Sequence, residues 1–342
     1  MNPKIVAIVV IVIAVAVGGF LLFRPPPTPT PTPTPKPVGP LEKVTVAAET
    51  SMLTAAIWVA EAKDYFKDEG LDVTIKEFGS GRLSFLAMLK GEGIHISTVA
   101  PTPIMFKSFE RDDYAIFATF VYSYDDVKVI ARKVKGIATA MDLKGKKVGT
   151  PAGTTGQFFL NAFLTARGIP AADVEVVDIS PSELPAALES NKVDAIVIWE
   201  PHGYNAQKLL ADKAIRLPSS EVYKETFNFM VMKDYAAANP KTLEKFLRAT
   251  DKATTFINEH KAEAQKLVAD RLKLDPAVTV ALWDDFTFEM TLDQALVRTL
   301  EEEGMWAIRS KLVDEPKIPN YLDFVLLDSL KQVNPEAVTI EK

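Results

Sequence analysis

The chain has 342 residues, of which 48% are hydrophobic and 25% charged, enough to bury the cores of more than one domain. A formal net charge of −6 with no basic cluster excludes non-specific nucleic-acid binding, since there is no cationic surplus to displace counterions from phosphates. The chain has no cysteine, which excludes disulfides, thiolate nucleophiles, cysteine-bound zinc and iron–sulfur clusters. Its three histidines, His95, His202 and His260, lack the spacing of a helical metal pair, so neither metal nor cofactor is expected.

Every residue from Ile5 to Phe23 is apolar or glycine, bounded by Lys4 and Arg24. The run approaches the roughly 20 residues that cross a hydrocarbon core as a helix. Residues 1–24 are therefore expected to be a transmembrane anchor, with a cleaved signal segment as the alternative. A signal's apolar region is usually shorter, roughly 7–15 residues, and Leu21-Leu22-Phe23 running into Arg24 lacks a small-residue cleavage site. Residues 25–40 form a linker. Proline alternates with threonine over much of Pro25 to Pro37, which favours an extended polyproline spacer. The threonines are candidate O-glycan acceptors, though a plain spacer is the simpler reading.

From Leu41 onward strand-like and helix-like runs alternate. Val44 to Ala48 reads as a strand, Leu53 to Asp68 as one helix stopped by Gly70, and Val73 to Phe78 as a strand broken by Gly79-Ser80-Gly81. Leu83 to Leu89 reads as a helix. Ile94 to Val99 is a strand that ends in Ala100-Pro101-Thr102-Pro103 before another helix. This is the grammar of a parallel α/β sheet.

The pattern then restarts. Val127 to Ala131 and Lys146 to Gly149 read as strands, and Pro151 to Gly156 as a loop opening a helix through Thr165. Val174 to Ile179, a helix from Glu183 to Leu188, and Ala195 to Trp199 complete a second βαβ set. A last strand spans Phe227 to Met232, and the chain from Pro240 reads as almost wholly helical. Two α/β units, the second inserted in the first, leave a cleft beyond the carboxyl ends of their strands, where open sheets bind ligands.

Several stretches together resemble the nitrate/sulfonate/taurine group of periplasmic binding proteins, relatives of the thiamine-precursor-binding family. They are Asp142-Leu-Lys-Gly-Lys-Lys-Val-Gly-Thr-Pro-Ala-Gly-Thr-Thr155, Phe78-Gly-Ser-Gly81, Glu69-Gly-Leu-Asp-Val73, Val193-Asp-Ala-Ile-Val-Ile-Trp-Glu-Pro201 and Asn239-Pro-Lys-Thr-Leu-Glu-Lys-Phe246. The resemblance covers the chain from about Leu41 to its end. It implies a type II periplasmic-binding-protein fold with two crossover strands, near Tyr122–Asp126 and Ser219–Phe227. Lobe 1 is then 41–123 with 226–342, and lobe 2 is 124–225. It also implies a non-enzymatic, extracytoplasmic protein that passes a small anion to ABC permease subunits. The chain departs from the family in its anchor, which carries no lipid-bearing cysteine.

Gly153, Thr154 and Thr155 precede a helix, where amides, hydroxyls and the positive dipole end suit an anion; helix capping by either threonine is the plain alternative. Gly79, Ser80 and Gly81 repeat the arrangement in lobe 1. Arg82 opposes the dipole of the helix it begins, which a bound anion would explain, as would simple exposure. Thr50, Ser51, Pro101 and Thr102 lie where the resemblance places ligand contacts. Glu49 reads as an exposed loop acid, with an ammonium partner as the alternative. Trp199 is a candidate cleft wall, Glu200 a candidate bridge between lobes, and His202 a surface residue. His95 is expected to face another element of its lobe. Tyr122 and Tyr124 are read equally as hydroxyl donors or as packing. The rival readings are an enzyme on the same fold and a binder of a neutral pyrimidine or thiamine precursor.

Overall fold

β1 (Glu42–Glu49) and β2 (Leu71–Phe78) pair in parallel over their whole length, from Glu42 opposite Leu71 to Glu49 opposite Phe78. They begin the first of two five-stranded sheets in the computed structural model, which describes residues 39–219 and 222–341. That sheet has the order β2-β1-β3-β10-β4, where β3 is Ile96–Val99, β4 Tyr114–Ser123 and β10 Glu225–Met232. The second runs β7-β6-β8-β5-β9, with β5 Lys128–Arg132, β6 Lys147–Thr150, β7 Glu175–Asp178, β8 Ala195–Ile198 and β9 Ala214–Leu217.

Both sheets are mixed, a correction to the expectation of parallel sheets. β10 lies antiparallel between β3 and β4, and β5 lies antiparallel between β8 and β9. The reason is topological. A strand that brings the chain into a lobe from the other one arrives without the crossover helix that a parallel partner requires. The chain leaves the first sheet between Ser123 and Lys128 and returns between Leu217 and Glu225.

Helices cover both sheets. In the first lobe they are α1 (Ala55–Ala62), α2 (Tyr65–Asp68), α3 (Gly81–Leu89) and α4 (Pro101–Ser108). In the second they are α5 (Thr155–Thr165), α6 (Leu184–Glu189) and α7 (His202–Leu210). The single helix expected over 53–68 is divided. Asp64 takes the left-handed conformation at φ 56°, which aspartate tolerates better than most residues, and the turn carries Phe66 into a stacked contact with Phe246 at 5.4 Å.

β4 is an element the sequence reading passed over. Nine of its ten residues are buried, so it shows the continuous apolar pattern of an interior strand instead of alternation. After α8 (Lys233–Ala238), the chain forms α9 (Pro240–Glu259), α10 (Lys261–Leu272), α11 (Pro276–Leu282), α12 (Gln294–Arg309) and α13 (Asp328–Val333). This tail is less helical than expected. Residues 286–293 run extended along β4, with Thr287 opposite Tyr122 and Thr291 opposite Thr119, and most of 310–327 is irregular. α9 packs on α1 and α13, and α12 on α4, so the tail thickens the first lobe.

The apolar run Ile5–Phe23 and the Pro25–Pro37 spacer lie outside the described residues. Among the described residues no helix is long and apolar enough to cross a membrane.

Candidate ligand-binding site

The strand ends and helix starts of the two lobes converge on a narrow chamber of about 20 Å3. Glu49, Leu53, Ser80, Gly81, Arg82, Ala100 and Pro103 line it from the first lobe. Thr154, Thr155 and Trp199 line it from the second, and Glu225 and Phe227 from the returning crossover. Ser80, Arg82 and Thr154 also border a groove of about 630 Å3, open to solvent, that reaches Thr50, Gly79, Asp178 and His202.

α3 brings one set of groups to the chamber. Ser80 is its N-cap and accepts from the Leu83 amide at 3.3 Å, while the Gly81 amide donates to Glu49 Oε2 at 2.9 Å. Gly81 is required here by space: a Cβ would stand 2.8 Å from Phe227 Cζ and 3.0 Å from Val99 Cα. Arg82 follows in the first helical turn, exposed, with no carboxylate partner among the described residues.

α5 brings the second set. Gly153 turns the chain at φ +66° and gives its amide to Gln157 Oε1 at 2.8 Å. The Ala152 amide goes to Asp178 Oδ1 at 2.8 Å. Thr154 is the N-cap residue, but its hydroxyl donates back to the Pro151 carbonyl at 2.7 Å instead of capping the helix. The Gln157 amide turns back to the Thr154 carbonyl at 3.1 Å, which leaves the Thr155 and Gly156 amides without a partner among the described residues, and Thr155 lines the chamber.

The remaining sequence candidates occupy other positions. Thr50 lies on the outer groove and donates to the Phe78 carbonyl at 3.3 Å. Ser51 is buried, and its carbonyl accepts from Trp58 Nε1 at 3.0 Å. Pro101 and Thr102 lie beneath the chamber, whose wall is formed by their neighbours Ala100 and Pro103. Thr102 donates to Glu303 Oε1 at 3.0 Å, and Tyr223 donates to the same oxygen at 2.9 Å. Glu200 is buried behind Trp199, accepting from the Tyr204 amide at 2.7 Å. His95 accepts from the Thr45 amide at 2.9 Å and stacks on Tyr235 within its own lobe. His202 is half-buried at the groove, a correction to the surface expectation, because its ring packs edge-on against Trp199. Tyr122 and Tyr124 make an edge-to-face pair at 6.1 Å, with the Lys224 ammonium over the Tyr122 ring.

Two acids line the chamber, one that the sequence offered as an ammonium partner but placed at the surface, and one that it passed over. Glu49 was expected to be exposed and is instead 4% exposed, because α3 and Trp199 close over the end of β1. Glu225, the first residue of β10, is equally buried. Burial pushes Glu49 up to about 8, with the nearby Asp126 carboxyl adding to the shift. Burial and Asp126 also hold Glu225 well above the usual carboxylate range. An acid two residues before the strand-like run Phe227–Met232 was the signal available for Glu225.

Two lobes joined by two crossings, with loops facing a shared cleft, define a periplasmic-binding-protein fold. The chain belongs to the NMT1/THI5-like family, whose model matches residues 52–264. It is 27% identical over 284 residues to a protein of Bacillus subtilis (strain 168) provisionally named an aliphatic sulfonates-binding protein, covering 80% of this chain and 83% of that one. It is 27% identical over 211 residues to the taurine-binding periplasmic protein of Escherichia coli (strain K12), covering 60% and 63%. In fold it matches the alkanesulfonate-binding protein SsuA from Xanthomonas axonopodis pv. citri, solved bound to MOPS. The TM-score is 0.73 at 18% identity, over 85% of this chain and all of that one.

Proposed function

We propose that the chain is the extracytoplasmic solute-binding component of an ABC importer. It captures a small anion (a sulfonate, taurine or nitrate) between its lobes and passes it to permease subunits without chemical change, held at the membrane by its N-terminal segment. The observation that carries this reading is Arg82: a guanidinium at the mouth of the chamber with no carboxylate partner among the described residues, lying beside Gly153 at the start of α5 in the other lobe. A fixed cation opposite free amides favours a small oxyanion over water. Arg82, Ser80, Gly81, Thr154, Thr155 and Trp199 are the proposed ligand contacts. The relatives named for sulfonates and taurine support the same ligand class.

Trp199 and Phe227 also line the chamber, which favours a neutral heterocycle as the second reading. Thermal unfolding of the full chain against sulfonates, nitrate, taurine and a pyrimidine separates the two. A ligand at a hundredfold excess over its Kd adds roughly 2.7 kcal/mol of apparent stability, a visible shift. A shift with an anion, lost in Arg82→Ala, supports the anion reading. A shift with the pyrimidine alone overturns it.

A further inference from the structure

Three buried acids sit where the two lobes and the two crossings meet. Glu49 ends β1 in the first lobe, Asp126 lies in the outgoing crossing, and Glu225 begins β10 where the chain returns; they are 4%, 1% and 4% exposed. Each joins two of these parts. Glu49 accepts from the Gly81 amide of its own lobe at 2.9 Å and from the Trp199 indole of the second lobe. Asp126 Oδ1 accepts from the Glu200 amide, just beyond β8, at 3.1 Å. Glu225 accepts from the Thr155 hydroxyl at the start of α5 and shares a hydrogen bond with Asp126. Two carboxyl groups make that bond only with a proton between them.

The charges around the three acids leave them without a counterion. Lys128 of β5 is engaged by Asp285 at 2.7 Å and Asp125 at 3.1 Å, with Glu200 at 3.9 Å. Asp285 faces Asp126 from the C-terminal tail and disfavours its charge. Tyr223 faces Glu225 from the returning crossing, its hydroxyl given to Glu303. His202 lies against Trp199, and burial holds it below its ordinary value. Arg82 shares the chamber wall with Glu49 and Glu225. Burial pushes Glu49 up to about 8, Asp126 to about 6 and Glu225 well above the carboxylate range. The bonds from Glu49 to Trp199 and from Glu225 to Thr155 span the cleft, so parting the lobes breaks both and admits water. Solvated carboxyls give up their protons near pH ~4.

We propose that Glu49, Asp126 and Glu225 form a proton-held latch between the lobes, so that closure takes up protons and opening releases them. The closed form binds more protons than the open one between the solvated and the buried values. Closure is therefore favoured in acid and weakens as pH rises through about 6 and then about 8. Neutral acids also leave the field of Arg82 undiminished in a chamber that takes an anion. The latch goes beyond the binding role proposed above and is independent of which ligand is carried.

The chain has no cysteine, so two introduced ones can be labelled alone. Leu83→Cys and Ser182→Cys put spin labels on exposed residues of opposite lobes that border the outer groove. The distance between them is measured by pulsed electron resonance in the full, ligand-free chain in detergent, from pH 5 to pH 9. The closed-to-open ratio should fall at least about tenfold between pH 6 and pH 8, which is the effect of one proton over one pH unit. Glu49→Gln combined with Glu225→Gln keeps side-chain size and removes both titrations, and should hold the ratio near its pH 5 value throughout. If unfolding midpoints show that this double variant does not fold, Glu49→Gln alone should shrink the fall. A distance distribution unchanged from pH 5 to pH 9 overturns the latch. So does a shift that persists undiminished in the variants. Neither result bears on the anion-binding role, because no ligand enters the measurement.

Discussion

The Arg82 guanidinium of the first lobe lies over Gly153 of the second, so closely that a Cβ on Gly153 would stand 3.4 Å from Arg82 Nε. Gly153 also holds φ +66°, a conformation that costs an L-residue roughly 1–2 kcal/mol. Glycine at that position thus serves the turn and leaves room for a cation to approach the helix start. Gly153→Ala should lower the free energy of unfolding by about 1 kcal/mol and weaken anion binding together. Removing the cation alone separates the two effects. Arg82→Ala should cost about 1.5–3 kcal/mol of binding, the usual worth of a charged hydrogen bond, yet leave the ligand-free chain within about 0.5 kcal/mol of its parent. Calorimetry and denaturant melts on the same samples check both.

Gly81 is tighter still. A methyl there meets the Phe227 ring at 2.8 Å and the Val99 backbone at 3.0 Å, and the backbone cannot step aside. Gly81→Ala should destabilise by about 1–3 kcal/mol through overpacking. It should also disturb the amide that Glu49 accepts. A urea midpoint equal to the parent's would show that the α3–β10 contact is looser than described.

Lys128 is 1% exposed at the start of β5, with Asp285 Oδ2 at 2.7 Å, Asp125 Oδ2 at 3.1 Å and Glu200 Oε1 at 3.9 Å. Asp285 belongs to the C-terminal tail, so this cation ties the second sheet to the first lobe across the crossing. Lys128→Met keeps much of the volume and strips the charge. The stranded carboxylates should cost about 3–5 kcal/mol. Melts at pH 5 and pH 8 are informative, because Glu200, which burial raises to about 8, holds its proton at the lower pH and should recover part of the loss.

Burial raises Glu49, Glu200 and Glu303 to about 8 and Asp126 to about 6, from ordinary values of 4.5 and 3.8. Each binds its proton more tightly folded than unfolded, so the folded chain holds extra protons between the two values. The stability this provides is fully present below the unfolded pKa and disappears as pH rises through about 6 and then about 8. Glu42 and Asp113 act in the opposite sense, because Lys245 and Arg111 hold them low, and their contribution is lost as pH falls through their folded values. The ligand-free chain should therefore melt highest near pH 5 and lose stability steadily toward pH 9. Glu49→Gln should flatten part of that slope. A midpoint that rises from pH 6 to pH 8 would contradict the burial of these acids.

Most strands of both sheets were legible because strand pattern and glycine or proline punctuation are local: β1, β2, β3, β6 and β8 fall within two residues of the expected runs. β4 was missed for the same local reason, since a strand buried on both faces carries no alternation. The break at Asp64 was invisible because Lys63 and Asp64 are ordinary helix-surface residues, and only the docking of Phe66 on Phe246 selects the left-handed turn. The antiparallel placement of β5 and β10 depends on where the chain crosses between sheets, which no window of sequence contains.

By itself the sequence determined two α/β units, a long apolar N-terminal run with a proline-rich spacer, and the two loops, Gly79–Arg82 and Gly153–Thr155, that end strands and begin helices. Glycine, proline, hydroxyl and charge patterns act over a few residues, so they are read without knowing the fold. Only the tertiary structure decided which loops meet, that Arg82 lies on Gly153, and that Glu49 and Glu225 are buried together in one chamber. Burial and the direction in which a side chain points are set by elements far apart in sequence. Here α3, Trp199 and the returning crossover turn two unremarkable acids into the chamber's inner wall.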